Sequence, residues 1–145
     1  MTTALTRLVA RLLFLPSLIV SVGILVIGYS SVGGGFSAGV IASLGWLLQY
    51  LVFGVRQADE ELPGEYAPFL AVLGLFMILG VGLVPALLGY PPVTHFPTPG
   101  EHVVQIGVLE MHTATIFDLG IMFLVFGFSI SSIRLVAHIR SGENI

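Results

Sequence analysis

The chain reads as an all-α integral membrane protein with four transmembrane helices and no soluble domain. Three observations predict this. The run from Leu12 to Val55 contains no Asp, Glu, Lys or Arg. That is about twice the roughly 20 apolar residues needed to cross a hydrocarbon core of about 30 Å. The run is interrupted near its middle by Ser30-Ser31-Val32-Gly33-Gly34-Gly35, so it divides into two crossings joined by a tight reversal. Composition agrees: 56% of the 145 residues are hydrophobic and 9% are charged, with a mean hydropathy of +1.04. Soluble domains carry about 25% charged residues.

Four segments are long enough to span, at residues 8–29, 36–55, 66–89 and 111–137, within one membrane domain covering 1–145. Helices rather than strands are expected, because a helix satisfies its own backbone hydrogen bonds in lipid. The first segment is longer than the roughly 7–15-residue apolar core of a secretory signal and is followed by no small-x-small cleavage site, so it reads as a permanent span. Spans two and three are separated by Arg56 to Glu65, a charge cluster whose acidic members Asp59, Glu60, Glu61 and Glu65 read as a solvated loop. Spans three and four are separated by a proline-rich loop with Pro91, Pro92, Pro97 and Pro99, and with His95, His102 and Glu110.

The five basic residues, all arginines, fall at Arg7, Arg11, Arg56, Arg134 and Arg140. With four crossings they share one side of the membrane. Basic residues near span ends favour the cytoplasmic side, which places both termini in the cytoplasm. The absence of cysteine excludes disulfides, thiolate metal sites and thiol-redox catalysis. A formal charge of −3 argues against a nucleic-acid partner. The histidines His95, His102 and His112 fall on the outer side and His138 near the inner end. They offer no helical ligand spacing, so neither a metal nor a haem is expected.

The polar and small residues inside the spans carry the functional signal. The stretch between Asp118 and Arg134 is about 22 Å long as a helix, too short to cross, so the helix starts earlier and Asp118 lies inside it. An intramembrane carboxylate is costly and faces protein or water. Two readings stand open: a member of an ion or proton path, with His112 and Thr115 beside it, or a structural group capping exposed backbone. At about 100° per residue Asp118 shares a direction with Ser129, while Gly120 and Gly127 lie opposite. The second span opens with Gly35, Gly39 and Ser43 at intervals of four, a spacing that lets helix backbones approach closely. Ser17, Ser21 and Gly28 in the first span and Gly74 and Gly82 in the third make similar seams, and Pro85 is placed to kink the third. Spacing leaves open whether these seams face the chain's own helices or other subunits. The triglycine reads as a hairpin, since neither the strand nor the Lys-Ser/Thr of a phosphate loop flanks it.

The string Ser31-Val32-Gly33-Gly34-Gly35-Phe36, followed by a small-residue helix, resembles the B subunit (MnhB/MrpB type) of bacterial multi-subunit Mrp-class cation/proton antiporters. The family pattern is close to Ser-Pro-Gly-Gly-Gly-Phe. A second segment, His112 to Gly120, is similar to the family's stretch from a histidine through threonine to Phe-Asp-x-Gly. Val32 stands where the family usually has proline, so no role of that proline carries over. The resemblance implies an accessory subunit, not an enzyme, without cofactor, in the bacterial cytoplasmic membrane. Its partners would be the other antiporter subunits, with Na+ and H+ as the transported ions and glycine-lined faces packed on neighbouring subunits. It also implies the functional candidates Asp118, His112 and Thr115 and the turn Gly33 to Phe36. Related subunits occur in membrane-bound hydrogenases, which is the competing parent complex. A self-contained small transporter or membrane enzyme is the remaining alternative. The orientation predicts that a membrane-impermeant arginine reagent applied outside intact cells leaves Arg56 unmodified and labels it once the membrane is opened.

Overall fold

The computed structural model describes residues 3–28, 33–89, 91, 105–106, 109–110 and 113–141. Among the described residues five helices dominate, α1 Ala4–Gly28, α2 Gly35–Phe53, the short α3 Val55–Glu61, α4 Ala67–Leu87 and α5 Thr113–Ser141, with a 3-10 turn at Gly64–Tyr66 leading into α4. Four of them are long and apolar enough to cross a membrane, which makes this a multi-pass membrane protein. Gln105–Ile106 and Leu109–Glu110 pair as two-residue antiparallel strands, β1 and β2, in the connection between α4 and α5.

The spans fall where expected, with shifted ends. The first helix begins at Ala4 rather than residue 8, because Ala4 and Leu5 carry its apolar pattern past Arg7. The second stops at Phe53 because Gly54 adopts φ +82°, a left-handed conformation natural to glycine, and ends the helix by donating its N–H to Tyr50 O at 3.0 Å. Pro85 sits in the last turn of α4, where the hydrogen bond it cannot donate falls close to the helix end. The fourth helix runs on to Ser141, four residues past the expected boundary at 137. The start expected at residues 111–112, and with it His112, lies outside the described residues, as do His95 and His102.

One correction concerns the segment between the second and third spans. It is helical at Val55–Glu61 rather than a loop, and Asp59 is only 20% exposed on its side chain, while Glu60 and Glu65 are exposed as expected. Glu61 does face solvent, where it pairs with Arg11 at 2.6 Å.

The helices pack as an open row rather than a closed bundle. Helix α2 lies between α1 and α5, and α4 packs on the other flank of α5. Half of the α2 span is buried inside the protein, against 11% of α1 and of α4. A T-shaped aromatic chain links three helices: Trp46 of α2 meets Phe14 of α1 at 5.8 Å and Phe126 of α5 at 5.3 Å. Beside it, Tyr50, Ala58, Ala67 and Ile130 form the buried core at the arginine-bearing end.

The small-residue seams are consumed within the chain. A Cβ on Gly39 would lie 2.9 Å from Met122 O, and one on Gly74 would lie 2.5 Å from Gly120 O. A Cβ on Gly127 would lie 2.5 Å from Ala67 O, while Gly120 faces Gly74, Met77 and Ile78. On the other side of α2, Gly45 fits against Ser17, and Ser21 donates to Ala38 O at 2.7 Å. Ser43 is buried and donates to Gly39 O in its own helix. The expectation that these glycine faces meet neighbouring subunits is thus corrected: Gly39, Gly74, Gly120 and Gly127 seat the chain's own helices. Gly82 is the exception among the seams, with nothing within 4 Å of an added Cβ.

Gly127→Leu is expected to force α4 from α5 and destabilise the protein by about 1–3 kcal/mol or more. Gly23→Ala, with open space around the new methyl, is expected to hold or raise stability by up to about 1 kcal/mol. Thermal unfolding of both variants in one detergent checks the contrast.

Candidate functional site at the α2 N-terminus

Helix α2 starts at Gly35 with Gly34 as its flanking residue, and no side chain of its own turn caps it. The first amides of a helix lack intrahelical partners, and in a membrane they need one. The partner comes from α5. The Gly34 N–H donates to Asp118 Oδ2 at 2.7 Å, a charge-assisted bond that also sets a carboxylate against the positive end of the α2 dipole.

Each glycine of the triplet has its own reason. Gly33 has φ +49°, and a Cβ there would lie 3.2 Å from Asp118 Oδ1. A Cβ on Gly34 would collide with the Ile24 carbonyl of α1. One on Gly35 would collide with the Asp118 backbone carbonyl, which makes this the tightest point of the α2–α5 seam. The reversal therefore does more than turn the chain. It brings three helices into backbone contact around one carboxylate.

Of the candidates from sequence, Asp118, Gly33, Gly34 and Gly35 are brought together. Thr115 lies one turn earlier on α5, its hydroxyl buried and without a hydrogen-bond partner among the described residues. Phe36 is not part of the cluster: its side chain points outward and is 64% exposed.

A second polar cluster, at the opposite end of the helices, was missed from the sequence. Arg134 donates through Nε to Asp59 Oδ2 at 2.9 Å and through Nη1 to Gly64 O at 3.1 Å, and its Nη2 lies 2.8 Å from the same Asp59 oxygen. Tyr50 completes the set by donating its hydroxyl to Asp59 Oδ1 at 2.7 Å. Gly64 must be small here, since a Cβ would lie 2.6 Å from Asp59 Oδ1. The signal available in the sequence was Arg134 itself, a cation within a spanning helix that needs an acid at its own depth.

Fold and site together define a multi-pass membrane block whose ionisable side chains serve helix ends and helix seams. Comparison with known proteins names the class further. Residues 5–131 match the family model described as a domain related to the MnhB subunit of Na+/H+ antiporter, and the chain belongs to that family. It is 31% identical over 100 residues to the putative antiporter subunit mnhB2 of Staphylococcus aureus (strain Newman), covering 69% of this chain and 70% of that one. It is 32% identical over 111 residues to a probable K+/H+ antiporter A/B subunit of Rhizobium meliloti (strain 1021). That match covers 77% of this chain but spans only 11% of the length of the Rhizobium protein.

Arg134→Met is expected to cost about 1.5–3 kcal/mol, the range for hydrogen bonds to charged groups, because it strands the Asp59 carboxylate. Tyr50→Phe, which leaves the ion pair in place, is expected to cost about 1 kcal/mol. Both are read by thermal unfolding in detergent.

Proposed function

We propose that the chain is an accessory membrane subunit of a multi-subunit cation/H+ antiporter, acting through assembly rather than by carrying the ion. Family membership supports the first part. The observation behind the second is that the one carboxylate on the described spans away from the arginine-bearing end already serves as the cap of α2. A carboxylate that ferried a cation or proton would lose the charge assistance of its bond to the Gly34 amide each time it was neutralised, weakening the cap in every cycle.

In this reading the subunit sits in the bacterial cytoplasmic membrane with both termini in the cytoplasm. Other antiporter subunits are its partners, and the exchanged ions pass elsewhere in the complex. Gly33 to Gly35 and Asp118 preserve its shape. Thr115 and His112 join Asp118 only if an ion path runs along this face of α5. The cation is Na+ or K+, both of which occur among the names of its relatives.

The experiment pairs Asp118→Asn with Asp118→Ala, each scored for complex assembly and for cation-dependent ΔpH activity in membrane vesicles. An asparagine oxygen still accepts from the Gly34 N–H, so Asp118→Asn is expected to retain assembly and activity within about twofold. Asp118→Ala loses a cap worth about 0.5–2 kcal/mol and is expected to lower the yield of the complex. An Asp118→Asn complex that assembles in full yet exchanges no ions would overturn the assembly reading and put the carboxylate on the ion path.

A further inference from the structure

The arginine-bearing end holds a second feature that neither the antiporter reading nor the Asp118 site uses. Between the start of α1 and the end of α2 lies a cleft of about 310 Å³, lined by Arg11, Phe14, Gln49, Glu61 and Leu62. That volume is at the low end of the roughly 300–1,000 Å³ of small-molecule sites. Its deep wall is fixed, because Gln49 is 5% exposed and donates through Nε2 to Ala10 O at 2.8 Å. Its mouth carries one cation and one anion. The Arg11 guanidinium lies 5.1 Å from the Phe53 ring centroid and pairs with Glu61, with side chains 57% and 55% exposed. Such an exposed pair contributes little to stability, so a ligand that satisfies both charges opens it at small cost.

The depth of the cleft says what kind of ligand that is. Phe53 ends the α2 span, so Arg11 and Glu61 stand at the boundary where headgroups begin. Below Arg11, at steps of four and three residues along the same flank of α1, follow Leu15, Leu18, Val22 and Leu25. At about 100° per residue these four stay within about 40° of the Arg11 direction. Leu15 and Val22 are exposed, and Leu18 and Leu25 are partly so. From Arg11 to Leu25 the stripe is about 21 Å long, more than the roughly 15 Å depth of one leaflet.

We propose that this cleft binds a zwitterionic aminophospholipid of the phosphatidylethanolamine type. The phosphate is held by Arg11, the ammonium by Glu61, and an acyl chain lies on the stripe from Leu15 to Leu25. The near-neutral mouth selects against anionic lipids, because Glu61 offsets the charge of Arg11 and repels a second negative group.

Native mass spectrometry of the full-length chain in mild detergent tests this, with equal amounts of phosphatidylethanolamine and phosphatidylglycerol supplied. The wild type is expected to retain phosphatidylethanolamine over phosphatidylglycerol by about fivefold, the effect of one charge at a headgroup. Arg11→Gln is expected to reduce phosphatidylethanolamine retention by about the same factor. Glu61→Gln should invert the preference toward phosphatidylglycerol, because it leaves Arg11 unopposed. The double exchange Arg11→Glu with Glu61→Arg should return it to phosphatidylethanolamine. Equal retention of the two lipids by the wild type, unchanged retention in Arg11→Gln, or binding of soluble phosphoethanolamine as strong as that of the intact lipid would each overturn the site. The readout is independent of ion exchange, so its failure would leave the antiporter-subunit reading untouched.

Discussion

The bond from the Gly34 amide to the Asp118 carboxylate is the constraint on which the rest of the arrangement depends. A helix that begins inside or near hydrocarbon presents amides with no partner and no water to replace one. Most soluble helices meet this need locally, with a Ser, Thr, Asp or Asn at the cap. Here glycine occupies the cap, so the acceptor must come from another helix, and that helix must come very close. Gly33, Gly34 and Gly35 allow the approach, each against a different neighbouring atom. The cap and the seam are therefore one solution. A side chain at Gly35 would push α5 away and remove the carboxylate from the amide it serves.

The opposite end repeats the logic with different chemistry. Arg134 is held in the helix row by an acid from α3, a carbonyl from the 3-10 turn and, through Asp59, the hydroxyl of Tyr50 on α2. A guanidinium with several fixed donors suits this task better than an ammonium would. Asp59 accepts from both sides, so neither charge is left stranded. The segment joining the second and third spans is thereby tied to the fourth. Two polar clusters thus bracket α5, and the stretch between them is packed through glycines on one flank and aromatic and aliphatic side chains on the other.

Much of this fold is legible in the sequence, because the bilayer imposes simple demands. Length without charge marks the spans, arginines mark one face, and the triglycine marks the reversal. The seams at Gly39, Gly120 and Gly127 are visible as spacing, but spacing carries no information about which helix fills a groove. That is why they read equally well as contacts with foreign subunits. The two polar clusters are harder still. Asp118 meets Gly34 across 84 positions and Arg134 meets Asp59 across 75. Such pairs leave no local pattern, so Asp59 looks like one more solvated acid in a run of four. The intramembrane carboxylate itself is detectable. What it bonds to is decided by the packing of α2 on α5, which is a property of the whole chain.

Gly39, Gly74, Gly120 and Gly127 seat the chain's own helices, and the outer flanks of the row are among the surfaces left for other contacts. These differ in kind. The free face of α4 is apolar along its length, with Phe69, Phe76, Leu83 and Leu87 all exposed. The free face of α1 carries an apolar stripe below Arg11, topped by a charge pair and a cleft. A uniform apolar face can be covered by lipid tails or by any helix with matching shape. A face that ends in paired charges at headgroup depth restricts what covers it to something carrying both an apolar body and a polar head at that level. In a protein built as an open row, that difference makes the two flanks chemically unlike.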